Sequence, residues 1–140
     1  MESKNQHIIL KTKDLSIGYT SKKGKTIVAS NINIALKKGS LVGLIGANGI
    51  GKSTLLRTLT NVQNALSGKV LINDTDFLKY APIDLAKVMS LVLTEPLASK
   101  NLSVLDLVAL GRQPYTNWVG NLSQNDIEIV NTALEQTNIT

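Results

Sequence analysis

Strand-like patterns dominate the first third of the chain. Residues 8–19 mix apolar and polar side chains as a half-buried strand does, and further strand patterns follow at 27–29 and 32–36. The run Leu41–Ile45 is continuously apolar, which predicts a strand buried on both faces. A glycine-rich loop follows it directly. This part of the sequence therefore predicts a sheet that leads into a loop whose backbone can come close to a bound group.

Helical spacing dominates the rest of the chain. Leucines recur at helical intervals within residues 53–60, immediately after the glycine-rich loop. Ser103 and Ser123 are each followed three residues later by an aspartate, a spacing that resembles a capping box at a helix start. The remaining predicted elements are strands at 70–72 and 89–93 and a short helix at 83–86, entered through Pro82.

Composition indicates a globular chain of one-domain length, with 140 residues, 43% hydrophobic and 18% charged. The absence of cysteine excludes disulfides and thiolate chemistry in this sequence. No apolar run approaches the roughly 18 residues of a membrane span. The first residues lack the apolar stretch of a signal peptide, so a cytoplasmic location is expected.

Charge is divided unevenly along the chain. Residues 1–69 carry a net +9 and residues 70–140 a net −4, which together give the overall +5. Nucleic-acid binding is disfavoured, because the lysines of the basic part lie in turns without interleaved aromatic residues. The basic surface is better interpreted as one that favours the approach of an anionic nucleotide. The single His7, near a polar terminus, is expected to be exposed rather than catalytic.

The loop GANGIGKST at 46–54 fits the phosphate-binding pattern G-x-x-x-x-G-K-[ST]. Its glycines let the backbone curl so that N–H groups converge on a polyanion, and the following helix adds its positive dipole end. Lys52 supplies a full charge, and Ser53 offers a hydroxyl to Mg²⁺. Ile50 would be strained at positive φ. The predicted nucleotide-binding residues of the loop are Gly46, Asn48, Gly49, Gly51, Lys52, Ser53 and Thr54.

These motifs resemble the ATP-binding cassette (ABC) family from about residue 8 to residue 140. The segment NINIALKKGSLVGLIGANGIGKSTLLRTL looks like that family's phosphate-loop region, and SGKVLIND like the strand after its first helix. VLDLVALGRQPY is similar to the start of the helical subdomain in importers of ferric siderophores, haem and cobalamin. The resemblance implies an α/β fold: a P-loop NTPase core with an antiparallel N-terminal β-region (8–93), then the start of a helical subdomain (94–140).

The same resemblance implies a function. A partial ABC ATP-binding domain would bind ATP and Mg²⁺, with Tyr19 stacking on adenine; the alternative for Tyr19 is core packing. The whole protein would be the ATPase of an importer for an iron chelate or similar metal complex. It would pair with a second ATP-binding subunit and with membrane permease subunits at the inner face of the membrane. A truncated, non-catalytic nucleotide-binding module is the alternative.

Two departures from the family pattern bear on catalysis. SLVLTEP places Thr94 where the family has the glutamine that helps to hold Mg²⁺ and water. The same run could instead be an acidic Mg²⁺ strand with Glu95 as catalytic base, which is disfavoured because Thr94 stands where an Asp is needed. The 140 residues also contain no LSGGQ-like signature and no later Asp-Glu strand, so turnover by these residues alone is not expected.

Other residues and functions receive simpler interpretations. Arg112 is expected to be a solvated cation at a helix end, and Tyr115 and Trp118 to be packing residues, with a permease contact as the alternative. A soluble cassette acting on ribosomes or DNA lacks any supporting motif. GTPase function is disfavoured because no guanine-reading N-K-x-D sequence occurs.

Overall fold

A computed structural model describes residues 7–92 and 101–139. The chain divides into two compact units, Met1–Ala81 and Pro82–Thr140. The first unit is a sheet with one helix and the second is helical, so the predicted α/β arrangement is confirmed. Within the described ranges, no helix is both long and apolar enough to cross a membrane.

Five strands form the sheet of the first unit, in the order β2-β1-β4-β5 with β3 also paired to β1. All the described pairings of these strands are antiparallel. The predicted strand at 32–36 is interrupted after Ile32, where the side-chain hydroxyl of Thr12, and not a backbone carbonyl of β1, accepts a hydrogen bond from the backbone N–H of Ile34. The bounds are β1 Ile8–Ser21, β2 Gly24–Ile32, β3 Ala35–Lys37, β4 Ser67–Ile72 and β5 Thr75–Asp76.

The long strand β1 organises this sheet. It pairs with β2 along its C-terminal half, with β3 along its N-terminal half and with β4 on its other side. Irregular registers near Asp14, whose φ is 46°, let the strand change partners along its length. Its buried Leu15 and Ile17 lie in the core with Val70 of β4 and Phe77.

One helix, α1 (Lys52–Leu59), packs against β1. It buries Thr54, Thr58 and Leu59, and the Thr58 hydroxyl donates to the Thr54 carbonyl at 2.8 Å. The predicted helix after the glycine-rich loop is therefore present. A 3₁₀ turn at Phe77–Lys79, capped by the Asp76 carboxylate, closes the unit.

Two predicted strands are wrong where the structure describes them. Leu41–Ile45 is not a strand: Leu41 and Ile45 are almost fully exposed, and no described residue pairs with the segment. Residues 89–92 likewise form no strand, and Val92 is exposed. An apolar run indicates a tendency to be buried. A strand also needs a neighbouring strand that pairs with its backbone N–H and C=O groups. Among the described residues, that neighbour is missing for both runs.

The second unit contains α2 (Pro82–Val88), α3 (Val104–Ala109), a 3₁₀ helix (Leu110–Tyr115) and α4 (Gln124–Gln136). Both predicted capping boxes are present. Ser103 and Asp106 open α3, and Ser123 and Asp126 open α4, each with reciprocal side-chain-to-backbone bonds. Hydrogen bonds from Ser103 hold the pKa of Asp106 below its ordinary value. Two helix starts are thus stabilised by the same local device.

Arg112 is not the solvated cation expected from the sequence. Its Nε donates to Oδ1 of Asp126 at 2.7 Å, and its guanidinium lies 4.1 Å from the Tyr115 ring centroid. Hydrogen bonds from Ser123 and then Arg112 lower the pKa of Asp126 to about 2. Trp118 was expected to pack, but 97% of its surface is exposed. The ion pair ties the 3₁₀ helix to the start of α4.

Candidate phosphate-binding site

The site is built around the uncapped start of α1. Gly51 occupies the N-cap position with φ 107° and ψ 9°, no side chain caps the helix, and its first turn contains no acid. The first N–H groups of an α-helix have no partner within the helix, and they carry the positive end of its dipole. This end of α1 is therefore suited to an anion with several acceptor oxygens.

The shape of the loop depends on two glycines with positive φ. Gly49 has φ 81° with open space around its missing Cβ, whereas a Cβ on Gly51 would lie 2.4 Å from Cγ1 of Val28. Strand β2 therefore abuts the loop at Gly51, and only glycine fits there. Ile50 is not among the residues with positive φ, so the strain considered for it does not arise.

Lys52 folds back over the loop that precedes it. Its Nζ donates to the carbonyl oxygens of Gly46 and Ala47 at 2.7 and 2.8 Å. These bonds close the loop into a ring with the ammonium group at one side. Lys52 is the only charged residue in the stretch 46–54, so the loop has no carboxylate to repel a phosphate.

Ser53, the residue that follows Lys52 in the chain, is exposed. A hydroxyl oxygen is a hard donor of the kind that Mg²⁺ accepts, usually together with phosphate oxygens and water. Ser53 thus fits the magnesium role predicted for it, as one ligand among several. In residues 7–92 and 101–139 there is no cluster of three or more His, Cys, Asp or Glu that could hold a metal by itself. A metal here would depend on the nucleotide for its other ligands.

Tyr19 and Thr54 meet beside the loop. The Tyr19 hydroxyl lies 2.8 Å from Oγ1 of Thr54, while 52% of the tyrosine surface is exposed. Tyr19 is therefore not the core residue of the alternative interpretation, and its ring is available for stacking. Only 5% of Thr54 is exposed. Its hydroxyl bonds the tyrosine.

The remaining predicted site residues are placed as follows. Asn48 lies exposed in the loop between Gly46 and Gly49. Thr94 and Glu95 lie outside the described residues. The sequence reasoning missed Val28, which limits residue 51 to glycine, because no local pattern marks a contact between residues so far apart. It also missed the pairing of Thr54 with Tyr19.

Comparison with known proteins places these features in a family. The family profile described as ABC transporter matches residues 29–140. The iron(3+)-hydroxamate import ATP-binding protein FhuC of Bacillus subtilis is 37% identical over 91% of this chain and 46% of its own length. The achromobactin transport ATP-binding protein CbrD of Dickeya dadantii is 38% identical over 90% of this chain and 45% of its own length.

Solved structures agree with the sequence comparison. CbiO1 of Clostridium perfringens, part of the ABC transporter complex CbiONQ, has a TM-score of 0.63 at 25% identity, over 96% of this chain and 52% of that one. A dimeric cassette bound to ADP and Pi shares the fold with a TM-score of 0.74 at 21% identity, over 93% of this chain and 57% of that one. The chain spans less than half the length of the curated relatives it matches. It belongs to the ABC transporter family.

Proposed function

We propose that this chain binds ATP and Mg²⁺ through residues 46–54 and Tyr19, as part of the ATP-binding subunit of an ABC importer. The observation that carries the proposal is the uncapped, acid-free start of α1 with Lys52 folded beside it. Free N–H donors, a helix dipole and an ammonium group converge there, which is the combination that a triphosphate needs.

Each residue of the site has a defined part in binding. Lys52 exchanges its bonds to the Gly46 and Ala47 carbonyls for bonds to the outer phosphates, where charge-assisted hydrogen bonds are stronger. Backbone N–H groups of the loop and of Thr54 bind the inner phosphates. Ser53 would hold Mg²⁺, which would neutralise charge on the phosphate oxygens. Tyr19 offers its exposed ring to the base.

The transport role rests on the relatives. FhuC and CbrD are named for import of iron(3+)-hydroxamate and transport of achromobactin, and the chain is more than one-third identical to each. The whole protein would thus energise uptake of an iron chelate or similar metal complex. Membrane permease subunits and a second ATP-binding subunit are its proposed partners, and its proposed location is the cytoplasmic face of the membrane.

The binding step is tested with Lys52→Ala. Calorimetric titration with MgATP should show at least a tenfold loss of affinity, because a charge-assisted hydrogen bond contributes about 1.5–3 kcal/mol. Lys38→Ala is the matched control: it removes an equal charge from an exposed turn outside the loop. Circular dichroism should show both variants folded. Wild-type affinity in Lys52→Ala, or an equal loss in Lys38→Ala, contradicts the assignment.

Hydrolysis is a separate step. Phosphoryl transfer needs a group that orients the attacking water, and the loop residues 46–54 include no such acid. We therefore propose that these 140 residues bind ATP without family-like turnover. Steady-state phosphate release measures this, with Glu95→Gln as the control. Robust release that disappears in Glu95→Gln would instead make Glu95 the catalytic base.

A further inference from the structure

The contact between Tyr19 and Thr54 joins two parts of the site that are distant in sequence. Tyr19 lies near the end of β1, and Thr54 lies in the first turn of α1. Their hydroxyl oxygens are 2.8 Å apart. The bond therefore connects the aromatic ring proposed for the base to the helix proposed for the phosphates.

The two hydroxyls differ sharply in environment. Thr54 is buried, and its backbone carbonyl accepts from the Thr58 hydroxyl, so its position on α1 is well fixed. Tyr19 is half-exposed and pairs through its backbone with Thr26 on β2. A tyrosine ring so exposed would otherwise be free to change its tilt, and a bond at its hydroxyl restricts that motion. Thr54, whose position is fixed, thus orients the Tyr19 ring through this bond.

We propose that Thr54 is a positioning residue whose hydroxyl holds the Tyr19 ring in place for the base of the nucleotide. This inference rests on the proposed ATP binding and adds a role for Thr54 that differs from phosphate contact. Ordering a free side chain upon binding costs affinity, so a ring already held in place favours binding. The loss of the hydroxyl should therefore weaken recognition of the base more than recognition of the phosphates.

The test compares MgATP with magnesium tripolyphosphate, which lacks base and ribose, by calorimetric titration of the 140-residue chain. Thr54→Val removes the hydroxyl at equal size, and Tyr19→Phe removes the other hydroxyl but keeps the ring. Each should lower the ratio of ATP to tripolyphosphate affinity by about two- to tenfold, the range of one net hydrogen bond. Thr54→Ser keeps a hydroxyl and should keep most of the ratio.

The double variant Tyr19→Phe/Thr54→Val should show the loss of either single variant and no further loss, because both remove the same bond. Equal losses for ATP and tripolyphosphate in Thr54→Val would overturn the proposal and assign the hydroxyl to the phosphates or to the helix. Additive losses in the double variant would overturn it as well. If Thr54→Val does not fold, an unchanged ratio in Tyr19→Phe is decisive against it. Failure of the proposed function looks different, since wild-type chain would then bind neither ligand.

Discussion

The substitution Gly51→Ala tests how strongly strand β2 constrains the phosphate loop, residues 46–54. Alanine at this position meets two penalties. Its φ of 107° lies where an L side chain costs about 1–2 kcal/mol. Its Cβ would also lie 2.4 Å from Cγ1 of Val28, and such overpacking costs about 1–3 kcal/mol. Gly51→Ala should therefore destabilise the first unit by about 2–5 kcal/mol.

Gly49 provides the matched control. Its φ is 81°, but nothing lies within 4 Å of the missing Cβ, so Gly49→Ala meets the backbone penalty alone, about 1–2 kcal/mol. The difference between the two variants isolates the contact with Val28. Urea denaturation followed by circular dichroism, with amide hydrogen exchange in β1 as the reporter of the first unit, measures both.

A second substitution sharpens the test. Val28→Ala removes the methyl groups that the new side chain meets, so the double variant Gly51→Ala/Val28→Ala should regain about 1–3 kcal/mol relative to the sum of the single changes. Equal costs for Gly51→Ala and Gly49→Ala, together with strictly additive behaviour, would refute the argument that β2 limits the loop to glycine.

Two further predictions concern the second unit. The folded-state pKa of Asp126 is about 2, below its ordinary value of 3.8, so the carboxylate stabilises α4 above about pH 4 and this contribution is lost as pH falls toward 2. Unfolding midpoints measured across that range should fall in the wild-type chain and change less in Asp126→Asn. Trp118 is the only tryptophan and is 97% exposed, so acrylamide should quench its fluorescence nearly as well as that of free tryptophan. Strong protection would contradict its placement.

The elements that the sequence predicted correctly are governed by local chemistry. Ser103 with Asp106, and Ser123 with Asp126, bond each other within one helical turn, so their spacing alone predicted two helix starts. The start of α1 followed from the glycine-rich motif in the same way. The formation of these helix starts depends only on a few residues that are close together in the sequence.

Most of the errors and omissions involve partners that are distant along the chain. Leu41–Ile45 has the composition of a buried strand, but a strand also depends on a neighbour that its own residues do not identify. The ion pair of Arg112 joins residues 14 positions apart, and the Tyr19–Thr54 bond spans 35. Charge and polarity indicate that such side chains need partners, but they do not indicate which ones.

The backbone of Leu41–Ile45 is unpaired among the described residues, so this segment is where the proposed nucleotide would add most to the stability of the fold. The phosphate loop is anchored at its far end by α1 and Val28, but the segment that enters it makes no backbone hydrogen bond to the described residues. A triphosphate that bonds the loop would add constraints at that weakly held end. By mass action, a ligand at one hundred times its dissociation constant stabilises the folded state by about 2.7 kcal/mol. ATP would then act as a structural component of this chain as well as its ligand.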